Sequence, residues 1–231
     1  MNNHTARAWA GKGSMKILVF LGSVRTSAPP QPARVGERVA RACVAQCGRD
    51  GHEVVLVDPL DYDLGAAFKP HFAYAKGRAP APLEDLAGEI AGADAYVMVS
   101  PEYNHSMSPA LAHLLNHFGS SLFAFKPSAI VTYSAGQWGG VRAALGMRAF
   151  LSELGCLPVS AMIHIPAAHT VFCADGSFAA EVDGTRWISY MERSFSQLLW
   201  WAVAARRERD RSGVPGPSPA FLRDPSQRNA P

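Results

Sequence analysis

Four cysteines in 231 residues, Cys43, Cys47, Cys156 and Cys173, form neither a C-x-x-C pair nor a cluster at metal-ligand spacing. Disulfide-framework and iron–sulfur readings therefore have little support. Cys43 and Cys47, four apart on an expected helix, read as small buried hydrophobes. No apolar run is long enough to span a bilayer, and the amino terminus lacks the apolar segment of a secretory signal, so the expected location is the cytoplasm, without membrane contact. A dominant charge is missing too. The net charge is +3, but residues 206–231 carry six Arg against three acids, and residues 1–14 add Arg7 and Lys12 without an acid. Residues 15–205 are then about −2, which offers no basic field for nucleic acid. The first loop also lacks G-x-G-x-x-G and an acid about twenty residues on, so the dinucleotide fingerprint is absent.

A composition that is 48% hydrophobic supports a sizeable core and one domain. Residues 1–14 are polar and aperiodic and read as a disordered leader, residues 15–207 as the folded domain, and residues 208–231, rich in Pro, Gly, Ser and Arg, as a disordered tail. Lys16 to Leu21 is a continuous apolar run, the pattern of a strand buried on both faces of a parallel sheet. A helix is expected from Val35 to about Gly48, a second strand over Glu53 to Val57, a short helix over Leu83 to Gly92 and a third strand over Asp94 to Ser100. Ser108-Pro109 opens a helix with Leu111, Leu114, Leu115 and Phe118 on one face. A fourth strand over Lys126 to Tyr133, a helix over Val141 to Gly155, a fifth strand over Leu157 to Ile165 and a last helix over Glu181 to Arg207 complete the chain. The Trp200-Trp201 pair near that helix's end is expected to pack against the sheet. Strands alternating with helices indicate one α/β domain, a doubly wound five-stranded parallel sheet of flavodoxin-like order with helices on both faces.

In such a sheet ligands gather at the carboxyl ends of the strands, where helix amino termini and free loop N–H groups converge. The loops after strands one, three and four are the candidates. In the first, Ser23 supplies a hydroxyl and Arg25 a fork of donors before a helix start; this suits a terminal monophosphate, or it is a polar turn with a surface Arg. In the second, Pro101 fixes the strand exit, and Glu102, Tyr103 and Asn104 offer backbone N–H groups to the edge of a flat heterocycle. The third, Tyr133 to Gly140, has three glycines and brings bare backbone close to the same ring.

Gly22-Ser23-Val24-Arg25, Pro101-Glu102-Tyr103-Asn104-His105-Ser106 and Ser134-Ala135-Gly136 with Gly139-Gly140 resemble, in order and context, the NADPH-dependent FMN reductase family. The likeness covers about residues 15 to 165. It implies FMN as cofactor and NADPH or NADH as co-substrate. Ser23 and Arg25 become phosphate ligands, Pro101, Glu102, Tyr103 and Asn104 flavin ligands, and Ser134, Ala135 and Gly136 part of the ring cradle. Thr26 to Ala33 departs from the family as an insertion with three prolines, which makes Arg34 a candidate to share or replace the role of Arg25. The activity implied is hydride transfer to FMN and then reduction of a small acceptor: a flavin, a quinone, an azo compound or a metal oxyanion. Since the cofactor makes the bonds, no catalytic side chain is required. The implied assembly is a homodimer or tetramer. The alternative is a flavodoxin-like electron carrier served by a protein partner, but such carriers have strongly acidic surfaces and this chain is nearly neutral. A phosphorylated receiver of the same strand order needs acids where Leu21-Gly22 and Ser100-Pro101 stand.

Three further features stay outside that reading. The long connection Asp58 to Pro82, with Phe68, His71, Phe72 and Tyr74, is either functional or packed on another subunit; its Lys69, Lys76 and Arg78 are candidates for nucleotide phosphates or a solvated face. His113 and His117, four apart, lack a third metal ligand and are expected on a face that packs on another subunit. His164 and His169 read as structural or surface residues.

Overall fold

The computed structural model describes residues 13–26, 34–65 and 67–216. Most of the leader and the tail, and most of the proline-rich insertion, lie outside the described residues.

Strand β1 (Lys16–Leu21) is followed by helix α1 (Val35–Cys47) and strand β2 (Glu53–Val57). After the long connection come α2 (Ala81–Gly92), β3 (Ala95–Tyr103), a two-residue β4 (Ser106–Met107), α3 (Pro109–Asn116) and a single turn α4 (Ser120–Phe123). Then follow β5 (Pro127–Tyr133), α5 (Val141–Glu153), the short strands β6 (Leu157–Pro158) and β7 (Ile163–Ile165), a turn α6 (Ala168–Val171), and α7 (Gly184–Ser212). The sheet runs β2-β1-β3-β5-β6, with β7 also on β5 and β4 folded back on β3. All pairings are parallel except β3 with β4. This is the flavodoxin-like, doubly wound architecture expected.

The period-2 geometry of strands decides which helix covers which residue. Ile17, Val19, Leu21, Val97, Val99 and Val131 face α1 and α7, where Val39, Cys43, Phe195 and Leu198 close over them. Leu18, Phe20, Tyr96, Met98 and Ile130 face α2, α3 and α5. Central strands buried on both sides read as unbroken apolar runs for this reason, each buried Leu, Ile or Phe contributing roughly 1.5–3 kcal/mol.

Several boundaries move. The third strand does not stop at Ser100 but continues to Tyr103, with Pro101 paired to Tyr133. The fifth strand is interrupted between Pro158 and Ile163. There Arg148 donates to the carbonyls of Val159 (2.9 Å) and Ser160 (3.0 Å), and Gln197 accepts from the Ala161 amide at 3.0 Å. Side chains thus replace the missing ladder bonds. The last helix starts at Gly184, capped by Asp183, and runs five residues past Arg207. The Trp pair does not pack against the sheet. Met191, Phe195, Leu198, Leu199 and Ala202 form the inward face, which turns Trp200 and Trp201 outward, 56% and 42% exposed.

Candidate functional site

The three loops emerge together at the carboxyl edge, each tied by its own interaction. Loop one leaves β1 at Gly22, whose amide donates to the Val99 carbonyl at 2.7 Å. Ser23 is buried, its hydroxyl hydrogen-bonded to the phenol of Tyr133 at the end of β5. Burial pushes that phenol's pKa up, so it stays neutral. Gly36, in the first turn of α1, makes room for it: a Cβ there would collide with the Tyr133 ring. Arg25 is exposed near the loop's end.

Arg34 precedes α1 with φ 49°, a left-handed conformation uncommon for a residue with a side chain. Its guanidinium forms a bidentate pair with Asp58, 2.8 Å to each carboxylate oxygen, and donates to the Ser23 carbonyl at 2.9 Å. Two N–H donors are left over: Nε is buried without a partner, and Nη1 keeps a second N–H on the side of the Glu37 carboxylate, 3.6 Å away. Arg34 therefore holds loop one to the end of β2 first, and offers a phosphate only the donors left over from that pairing. The Asp58 pair raises the guanidinium pKa further, so the fork is charged at any working pH.

Loop two is a hairpin rather than a simple turn into the helix. Asn104 and His105, with φ 50° and 62°, make the turn between β3 and β4. Two consecutive positive φ values suit the right-handed twist of a tight hairpin. Buried Ser100 accepts from the Ser108 amide at 2.9 Å, and Ser108 caps α3 by accepting from Ala110 at 3.0 Å. The Glu102 carboxylate turns away from solvent and accepts from the amides of Arg142 (3.1 Å) and Ala143 (3.3 Å) at the start of α5; Arg142 Nη1 lies 3.2 Å from its other oxygen. Desolvation raises its pKa, but those amides and the guanidinium outweigh it, and the net shift is downward. Glu102 thus joins loop two to the helix that follows loop three.

Loop three is closed by Ser134, whose hydroxyl donates to the Gly136 carbonyl at 2.8 Å and accepts from the Gly139 amide at 3.0 Å. Gly140, at φ 81°, sits so near Thr132 that a Cβ would lie 2.8 Å from the Thr132 Cβ. The Thr132 hydroxyl donates to the Gly139 carbonyl at 2.8 Å and accepts from His164 Nδ1 at 2.8 Å. His164 thereby has a structural role; its pKa is lowered by burial, then by Arg193. Trp138, between Gln137 and Gly139, stands 57% exposed.

The long connection folds onto its own chain. The His71 amide donates to the His117 carbonyl at 2.7 Å, and the Phe68 ring meets His117 edge-on at 4.8 Å. His117 is fully buried, with Nδ1 on the His113 carbonyl at 2.8 Å and Phe68 beside it, while His113 and Phe68 are exposed. No trio of metal-ligating side chains exists among the described residues. Lys69 lies 4.0 Å over the Tyr74 ring.

Of the residues singled out in the sequence, Ser23, Pro101, Glu102, Tyr103, Asn104, Ser134, Ala135 and Gly136 stand on the three loops of this edge, with Arg34 beneath and Arg25 at its rim. Asp58 and Arg142 were missed as members of the same unit, while Tyr133 and Trp138 lie on the expected third loop without having been given a role. Asp58 is visible in the sequence only as an acid after β2. The residues fit a phosphorylated flat heterocycle on three counts. Ser23 and the unpaired Nε of Arg34 lie at the helix start, the outer side of Gly136 is open, with nothing within 4 Å of an added Cβ, and the glycines keep the third loop low.

Residues 15–170 match the NADPH-dependent FMN reductase family. A protein of Pseudomonas aeruginosa named NAD(P)H-dependent FMN reductase is 35% identical over 107 residues, 45% of this chain and 57% of that protein. An NADPH azoreductase of Bacillus sp. is 31% identical over 87 residues, 38% of this chain and 49% of that one. The chain thus spans about half the length of the curated relatives it matches. The solved structure of FerB, a flavoenzyme NAD(P)H:(acceptor) oxidoreductase from Paracoccus denitrificans, shares the fold with a TM-score of 0.62 at 20% identity, over 80% of this chain and 98% of that one. With the match extending over most of the sheet and all three loops, the chain belongs to the NADPH-dependent FMN reductase family.

Proposed function

We propose that the protein is an FMN-dependent NAD(P)H oxidoreductase that reduces a small acceptor: a flavin, a quinone, an azo compound or a metal oxyanion. The observation that carries this is the carboxyl edge itself, where Arg34–Asp58 ties loop one to the end of β2 and Glu102–Arg142 ties loop two to the helix after loop three, around an open floor at Gly136. Bound FMN supplies the hydride chemistry. The chain supplies position and electrostatics. Ser23, Arg25 and the spare Nε–H of Arg34 hold the phosphate; Pro101, Glu102, Tyr103 and Asn104 present backbone to the ring; Ser134, Ala135 and Gly136 line its far side. Exposed Phe72 on the long connection and Trp200 on α7 are surfaces on which copies could pair as a homodimer or tetramer. Native mass spectrometry tests the assembly.

The deciding experiment is visible absorbance of the purified chain with added FMN, before and after anaerobic NADPH. A bound-flavin spectrum that bleaches is expected. Bound flavin that NADPH cannot bleach points to the electron carrier instead, and no bound flavin removes the FMN site.

A further inference from the structure

The indole of Trp138 and the guanidinium of Arg142 form one surface that the roles above leave unused. Trp138 is the most exposed of the large aromatics on the three loops, above Tyr103. Its backbone cannot easily carry it elsewhere. Ser134 pins the segment at Gly136 and Gly139, and the Trp138 carbonyl accepts from the Val141 amide at 3.3 Å. The Arg142 guanidinium lies 5.4 Å from the indole centre, within the range of a cation–π contact. Arg142 is in turn braced by Glu102, whose side chain is 11% exposed against 41% for the arginine. A fixed carboxylate thus anchors a half-exposed cation, and the cation steadies an exposed aromatic face.

We propose that Trp138 is the face on which planar acceptors stack, with Arg142 selecting those that carry a negative charge and Glu102 acting as the positioning residue behind both. The proposal rests on the FMN reductase reading and names the acceptor class for that same site. A planar quinoid or azo ring recovers apolar contact from an indole already held out of the core. An anionic substituent finds the donors of Arg142 that Glu102 does not take. Because Glu102 also belongs to the flavin-contacting loop, acceptor face and flavin loop move as one body.

The test uses the full chain loaded with FMN, NADPH as donor, and three acceptors: menadione (planar, neutral), anthraquinone-2-sulfonate (planar, anionic) and ferricyanide (anionic, not planar). Trp138→Ala is expected to raise KM for both planar acceptors about tenfold, as loss of one aromatic stack implies, and to leave ferricyanide KM and FMN affinity within about twofold. Trp138→Phe should restore most of the loss. Arg142→Met should raise KM for the sulfonate more than for menadione, and Glu102→Gln should do the same to a smaller degree. Without turnover, anthraquinone-2-sulfonate should quench a component of tryptophan fluorescence that Trp138→Phe lacks. Equal effects on ferricyanide and the planar acceptors, unchanged KM, loss of FMN binding in Trp138→Ala alone, or identical quenching in Trp138→Phe would each overturn the proposal. Failure of the unmodified chain to bind FMN would instead overturn the reading beneath it.

Discussion

At the amino ends of the strands, Asp94 accepts from the Lys16 amide at 3.0 Å and pairs with Arg206 at 3.3 Å and Arg209 at 3.0 Å. Lys126 closes the carbonyls of Ile90, Ala91 and Leu122 at 2.7, 2.7 and 3.1 Å. At the carboxyl ends, Arg34–Asp58 and Glu102–Arg142 are as well paired, yet each joins a loop to a neighbouring element and leaves donors over. Charges at one end fasten α7 and the helix ends to the body. Charges at the other hold an opening in shape. A cavity of about 820 Å³ also lies at the amino end, lined by Phe125, Leu157, Trp201 and Val214. None of its lining residues belongs to the three loops.

Substitutions at the two ends should separate stability from binding. The largest effect is expected from Asp94→Ala, which leaves Arg209 partly buried without its carboxylate and should cost about 3 kcal/mol in urea denaturation. FMN affinity of the folded fraction should stay within about twofold; a large loss of affinity would break the separation. Arg25→Ala and Arg34→Ala come next, at about tenfold in FMN affinity each, the scale of one charge-assisted contact. Both should change affinity more than the rate of NADPH oxidation at saturating FMN, and unchanged affinity in a titration would remove the phosphate role of the residue concerned. Arg34→Ala should also lower stability, because Asp58 loses its partner; an unchanged denaturation midpoint would contradict that.

The smallest effect concerns pH. Glu102 has its pKa lowered below the ordinary 4.5 in the fold. The folded chain therefore holds fewer protons than the unfolded one as pH drops through that range. The stabilisation is fully present above the ordinary value and is lost as pH falls through the lower folded value. The difference in denaturation midpoint between the wild type and Glu102→Gln should shrink across that window and be flat above it.

Much of this was legible because the signals were local. The apolar run at Lys16–Leu21 and the stripe of Leu111, Leu114, Leu115 and Phe118 depend only on periodicity and burial, and Ser108-Pro109 is a helix start by the chemistry of two adjacent residues. The three loops were likewise recognisable from their own composition. Where the reading slipped, a distant partner had taken over. Pro101 remained in a strand because Tyr133 lies beside it in the sheet. The fifth strand broke because Arg148 and Gln197 could satisfy its backbone from two helices.

The sequence by itself determined the alternation of strands and helices, the two-sided burial of the sheet and the three loops at its carboxyl edge, since these follow from side-chain period and turn chemistry within short windows. Only the tertiary structure decided what each polar side chain on that edge does. Arg34 meets Asp58 across 24 residues, Glu102 meets Arg142 across 40, and Ser23 meets Tyr133 from another strand. A charged side chain takes its role from the partner within about 3 Å, and no local pattern encodes a partner that the fold alone brings near.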